Sequence, residues 1–161
     1  MAVHGASDEL EFWITGQRGL SATRILFVRE QRMWSVDFDG ANAAPVPGLG
    51  AALSPAWHPS GKFVAYCELG ADGTHIVIRD LVAGTTRRIA RVGGTNISPV
   101  FAPDGKTLVF AGGDDGVDLF TVPVAGNDPP IRVTVGRGSQ NMSPSFSPDG
   151  RRLAFRSEEH T

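Results

Sequence analysis

Three thirteen-residue segments constrain this chain more than anything else in it: Ser54–Tyr66 (SPAWHPSGKFVAY), Ser98–Phe110 (SPVFAPDGKTLVF) and Ser143–Phe155 (SPSFSPDGRRLAF). Their first residues, 54, 98 and 143, lie 44 and 45 positions apart. Ser-Pro, a second Pro and a Gly are fixed in all three. An aromatic holds the fourth and last columns, and a basic residue follows the Gly. Pro103-Asp104-Gly105 is turn chemistry: proline pre-sets φ, aspartate bonds its own backbone, and glycine accepts positive φ. Ser-Pro opens the segment, since proline lacks a donor and holds the preceding residue extended. Each segment therefore reads as strand, tight turn, strand, and the chain as a repeat protein.

The stretches between the segments complete the repeat. Arg24–Val28 aligns with Lys62–Tyr66 as a second strand. Met33–Phe38, His75–Leu81 and Val117–Val124 give a third, and Ala43–Val46, Thr86–Ala90 and Ile131–Val135 an outer fourth. With strands labelled a to d, the order is bcd, abcd, abcd, ab, thirteen strands in all. Four strands per repeat of this length is the pattern of β-propeller blades. The b strands, such as Leu108-Val109-Phe110-Ala111, are apolar at consecutive positions, as in a sheet covered on both faces. The expected fold is all-β: a partial propeller of about three four-stranded antiparallel blades, over residues 24–48, 54–92, 98–135 and the start of the next at 143–156. Residues 1–20 fall outside the repeat. Asp8-Glu9-Leu10-Glu11 reads as a capping box opening one helix of about two turns, closed by Thr15-Gly16.

Composition narrows the function classes. A net charge of −2 on 161 residues gives no reason to expect nucleic acid or an anionic membrane as partner. The single cysteine, Cys67, excludes an internal disulfide and reads as a buried, inert thiol. No apolar run approaches membrane-spanning length, and no secretion signal opens the chain. No nucleophile motif accompanies the serines and histidines, so no catalytic residues are expected. His58 reads as a solvated turn residue, and the histidines show no paired metal-ligand spacing. Gly112–Asp118 reads as a b–c hairpin loop in which calcium stays open, and Gly93-Gly94 and Gly136-Arg137-Gly138 precede strands, unlike phosphate loops. No cofactor is expected. The d–a connections and starts of strand a lie at one mouth of a propeller channel. Here they supply Thr95, Asn96, Ser98, Gln140, Asn141 and Ser143, suited to hydrogen bonding with a docked protein loop or, equally, to capping their own turns.

The Ser-Pro-x-[Trp/Phe]-x-Pro-[Asp/Ser]-Gly-[Lys/Arg] repeats resemble the propellers of the TolB family and of related peptidases. Asp8-Glu9, Ile14-Thr15-Gly16-Gln17-Arg18-Gly19 and Ala22–Val28 resemble the TolB junction where an N-terminal α/β domain enters the first blade, and Met33–Asn42 resembles the TolB first-blade strand with its Asp-Gly turn. The resemblance covers about residues 7–157. It implies a non-enzymatic, periplasmic interaction module of the Tol-Pal system, with a six-bladed propeller that receives the peptidoglycan-associated lipoprotein and supports outer-membrane integrity. It places Asn96, Ser98, Asn141 and Ser143 at the mouth facing that partner. Residues 1–20 then read as the remnant of the α/β domain, and 21–157 as about half a propeller in an internal fragment or truncated homologue. Without a signal peptide, this chain alone would be cytoplasmic. Two half-rings could pair as a homodimer completing the propeller. The alternatives are the substrate-gating propeller of an oligopeptidase-like serine peptidase, or a fragment with no independent function.

Overall fold

The structure is a computed structural model that describes residues 2–16, 19, 22–135 and 140–158. Its strands form four antiparallel sheets. Sheet 1 contains β1 (Arg24–Arg29), β2 (Arg32–Asp37) and β3 (Ala44–Pro45). Sheet 2 contains β4 (Ala52–Trp57), β5 (Phe63–Gly70), β6 (Gly73–Asp80) and β7 (Thr86–Ala90). Sheet 3 contains β8 (Thr95–Phe101), β9 (Thr107–Gly113), β10 (Asp118–Pro123) and β11 (Ile131–Arg132), and sheet 4 contains β12 (Gln140–Phe146) and β13 (Leu153–Glu158). The first strand β8 neighbours both β4 and β12, so these three line the axis, with the short β3, β7 and β11 outermost. This is a partial β-propeller, with one helix among the described residues.

The apolar b strands explain the stacking. Ala65, Ile76, Ile78 and Ala90 of sheet 2 meet Phe101, Leu108, Phe110 and Val122 around sheet 3. Leu26 and Met33 of sheet 1 meet Val64, Tyr66 and Val77 of sheet 2. Val109, Ala111 and Leu119 of sheet 3 meet Met142, Phe146 and Leu153 of sheet 4. Alternate residues of one strand thus serve opposite interfaces, which is why these strands are apolar without alternation. Burying a side chain such as Phe110 contributes about 2–3 kcal/mol.

The turn reading holds in each repeat. Gly61, Gly105 and Gly150 donate their amides to the carbonyls of His58, Ala102 and Ser147 at 2.8, 2.9 and 2.9 Å, with φ of +68°, +70° and +69°. Ser-Pro does not open the strand, however. β8 begins at Thr95, and Ser98-Pro99 sits inside it as a bulge between Ile97 and Val100. Ser54, Ser98 and Ser143 are not extended but have φ of +50°, +53° and +56°. A bulge removes the two residues from the regular ladder, which accommodates a proline that cannot donate to it.

Two further expectations are corrected. Phe38, Leu81 and Val124 donate their amides to the carbonyls of Thr23, Lys62 and Lys106, so Thr23, and not Arg24 as the sequence suggests, is the equivalent of Lys62. The one-residue shift exchanges the faces: Leu26 points into sheet 2, and Ile25 and Phe27 point away from it. The helix α1 (Ala2–Thr15) also starts six residues before the expected cap. Asp8 lies within it, and its Oδ2 accepts the Ala22 amide at 2.7 Å, tying α1 to the approach to β1. Gly16 does close α1, its amide bonded to Phe12 at φ +72°. Leu10, Phe12, Trp13 and Ile14 are exposed, Trp13 by 84%, so this face of α1 does not pack on the sheets. Gln17 and Arg18 of the junction lie outside the described residues.

Candidate interaction site

Antiparallel strands carry the d–a and b–c connections to one rim of the propeller and the a–b and c–d turns to the other. On the first rim, polar side chains sew each sheet to the next. Asn96, the second residue of β8, is 0% exposed. Its Oδ1 accepts the Val92 amide at 2.6 Å, and its Nδ2 donates to the carbonyls of Thr74 at 2.8 Å and Gly93 at 3.3 Å. Its own amide donates to Thr74 Oγ1 at 2.6 Å, and its carbonyl accepts the Cys67 thiol at 2.9 Å. Burial pushes the Cys67 thiol pKa up, as expected for an inert cysteine.

Asn141 holds the same place on β12 and is 5% exposed. Its amide donates to Val117 O at 2.7 Å and its Nδ2 to Asp118 Oδ1 at 2.9 Å. Asp118 also accepts from Thr134 Oγ1 at 2.9 Å and from Arg132. Burial alone would raise the Asp118 carboxyl, but the bonds from Arg132, Asn141 and Thr134 outweigh it and hold its pKa below the usual carboxylate range. At the third equivalent place Ala52 keeps only the backbone bond, from its amide to Gln31 O at 2.9 Å.

The connections themselves are braced. Asp72, in the β5–β6 turn, bonds buried His75 at 2.9 Å and Arg91 at 2.9 Å, and Arg91 also donates to Gly93 O at 3.1 Å. The hydrogen bond from His75, with that Arg charge beside it, holds the Asp72 carboxyl low. Asp114, in the expected acidic loop, accepts the Gly94 amide at 2.7 Å. Among the described residues no group of three His, Cys, Asp or Glu side chains is placed to hold a metal ion.

The six residues singled out by sequence therefore divide. Asn96 and Asn141 are buried and spend their amides inside the chain. Thr95, Ser98 and Gln140 are half-buried and Ser143 is exposed, all on the two axial strands β8 and β12. Gly136–Ser139 lie outside the described residues. On the opposite rim His58 is not a solvated turn residue. Its Nε2 donates to Gly105 O at 3.0 Å, and its ring meets Phe63 and Phe101 edge-on at 5.3 and 4.9 Å. Its sequence signal is that it replaces the small residues Ala102 and Ser147 of the equivalent columns, which does not show what the ring packs against.

Residues 13–160 match the PD40 family, the TolB beta propeller domain. The chain belongs to that family. Among curated relatives, a protein TolB homolog of Chlamydia muridarum is 30% identical over 136 residues, covering 74% of this chain and 31% of the relative. The Tol-Pal system protein TolB of Hamiltonella defensa is 34% identical over 103 residues, covering 59% of this chain and 24% of the relative. This TolB-family chain thus spans about a third or less of those relatives' length. The crystal structure of TolB from Acinetobacter baumannii aligns with a TM-score of 0.74 at 28% identity, covering 94% of this chain and 40% of that one. The tricorn protease aligns at 0.65 with 19% identity, covering 82% of this chain and 12% of that one, a likeness of fold alone.

Proposed function

We propose that this chain is the propeller portion of a non-enzymatic, TolB-type interaction protein of the Tol-Pal system, working in the periplasm. Its rim of d–a connections docks a protein loop, with the peptidoglycan-associated lipoprotein as the partner the family reading favours and outer-membrane integrity as the role. α1 is then the end of a preceding domain, whose packing would cover Leu10, Trp13 and Ile14. The observation that carries the reading is the bracing of the rim. Asn96, Asn141, Asp72 and Asp114 fix the connections before any partner arrives, so little ordering entropy is lost on docking. In this reading Asn96 and Asn141 are positioning residues, and Thr95, Ser98, Gln140 and Ser143 meet the partner.

The test is capture of the lipoprotein's soluble domain by the wild-type chain and by Thr95→Arg/Gln140→Arg. Roughly tenfold weaker capture by the variant, with unchanged thermal unfolding, is expected from two bulky charges in a docked surface. Equal capture would remove the site from this rim. No capture by wild type would remove the partner.

A further inference from the structure

Between sheets 2 and 3, both four-stranded, a cleft of about 370 Å³ opens on the rim opposite the d–a connections. That volume lies in the range of small-molecule pockets. Phe63 and Ile78 of sheet 2 form its floor, and Val124 and Ala125 of sheet 3 its far wall. Two opposite charges, Asp80 and Arg87, also line it. Ile78 faces Arg87 in the β6–β7 register, and the Asp80 amide bonds the Thr85 carbonyl at 2.9 Å. Asp80 and Arg87 are therefore diagonal neighbours on one face of the sheet, about 7–8 Å apart. Among the described residues neither pairs with an opposite charge. Asp80 accepts the Val82 and Ala83 amides on Oδ1, each at 2.8 Å, and Oδ2 is left over. Arg87 donates from Nη1 to Gly126 O at 2.8 Å and from Nη2 to Val124 O. These bonds hold the far wall in place and leave donors of the guanidinium fork unspent.

Sheet 1 shows what a carboxylate at this place takes. The ladder that pairs Phe63 with Asp80 in sheet 2 pairs Arg24 with Asp37 in sheet 1. Asp37 binds the Arg24 guanidinium at 3.2 Å and the Asn42 side-chain amide at 2.7 Å. In sheet 2 Phe63 stands where that cation would be, so the Asp80 carboxylate keeps its charge beside an apolar floor. In sheet 3 the equivalents of Asp80 and Arg87 are Pro123 and Ile131. The charged pair thus belongs to this cleft and is no property of the repeat.

We propose that this cleft binds a short peptide with free ends and apolar side chains, a dipeptide zwitterion. Its ammonium sits on Asp80, in the place that the Arg24 guanidinium takes on Asp37. Its carboxylate takes the unspent donors of Arg87, and its side chains lie on Phe63 and Ile78. Two extended residues span about 7 Å, which matches the separation of diagonal neighbours. The far wall is already fixed by Arg87, so binding orders little of the protein. The proposal is independent of the docking reading above, which uses the opposite rim.

The test is titration of the full chain with leucyl-leucine, followed by amide chemical shifts. Saturation at roughly millimolar concentration is expected for so open a site, with shifts centred on Val82, Ala83 and Gly126. Acetylating the amino end or amidating the carboxyl end removes one charge, and each should weaken binding about three- to fivefold. Asp80→Asn keeps an oxygen for the Val82 and Ala83 amides. It should lower the affinity for leucyl-leucine to that of the acetylated peptide, which the variant should bind no more weakly than wild type does. No binding, or shifts centred elsewhere, overturns the proposal. Equal affinity of the doubly blocked peptide also overturns it, since that marks mere adhesion to an apolar cleft. If Asp80→Asn fails to fold, the blocked peptides on wild type decide alone.

Discussion

His58 Nε2 lies 3.0 Å from the carbonyl oxygen of Gly105, joining two turns that hold the same place in consecutive repeats. The bond fixes the tautomer, since a carbonyl only accepts. Nδ1 is then the acceptor for the Ser60 amide at 3.1 Å. His58→Ala removes this bond and two edge-on ring contacts, and should cost about 1–3 kcal/mol. Urea unfolding measures it. A loss no greater than that of an exposed substitution such as Lys62→Ala would show that the contact adds nothing.

The same pair predicts a coupling. A β-carbon at Gly105 would come within 2.5 Å of His58 Nε2, whereas one at Gly61 would meet nothing within 4 Å, although both glycines have φ near +70°. Left-handed backbone costs an alanine about 1–2 kcal/mol at either site. Gly105→Ala should therefore exceed Gly61→Ala, and the excess should vanish when His58→Ala is also present. A double-mutant cycle that is additive within about 0.5 kcal/mol refutes the clash.

Asn96→Ala would leave the Val92 amide and the Thr74 carbonyl without the side chain that now satisfies them. The cost should be about 2–3 kcal/mol, near the upper range for an orphaned buried polar group. Hydrogen exchange at Val92 should accelerate well beyond that at a distant amide such as Phe120. Uniform acceleration would show that Asn96 braces no particular connection.

Asp118 gives a pH dependence. Its carboxyl is depressed in the folded chain relative to about 3.9 when unfolded. The stabilisation is therefore present above that value and is lost as pH falls through the lower folded pKa. The unfolding midpoint of wild type should drop across this acid window more steeply than that of Asp118→Asn, which at neutral pH is already weakened by losing the charged bond from Arg132. Parallel pH profiles for the two proteins would overturn the assignment.

Much of the fold was legible because its punctuation is chemical. Proline, aspartate and glycine at fixed offsets mark turns whatever surrounds them, and they located each sheet and the order of its strands. The errors fall where that punctuation stops. Sheet 1 has no Pro-Asp-Gly turn before β1, so its sequence offers no anchor that picks Thr23 over Arg24 as the equivalent of Lys62. Asp8 fits a capping box by residue type, but helix continuation back to Ala2 was decided by residues with no capping signal of their own. The rim residues were found by position, whereas the burial of Asn96 and Asn141 depends on the preceding sheet, which a single strand's sequence does not reveal. His58 reads as solvated in the sequence for the same reason: its partner is 47 residues away.

The three Ser-Pro bulges have a consequence for solubility. An axial strand has a ladder edge facing the channel, and a flat edge of that kind templates the addition of further chains. In β4, β8 and β12 a left-handed serine followed by a donorless proline interrupts the edge midway. Bulges and prolines are devices by which proteins blunt such edges, so the residues that mark the repeat in the sequence are also of the kind that disfavour edge-to-edge addition.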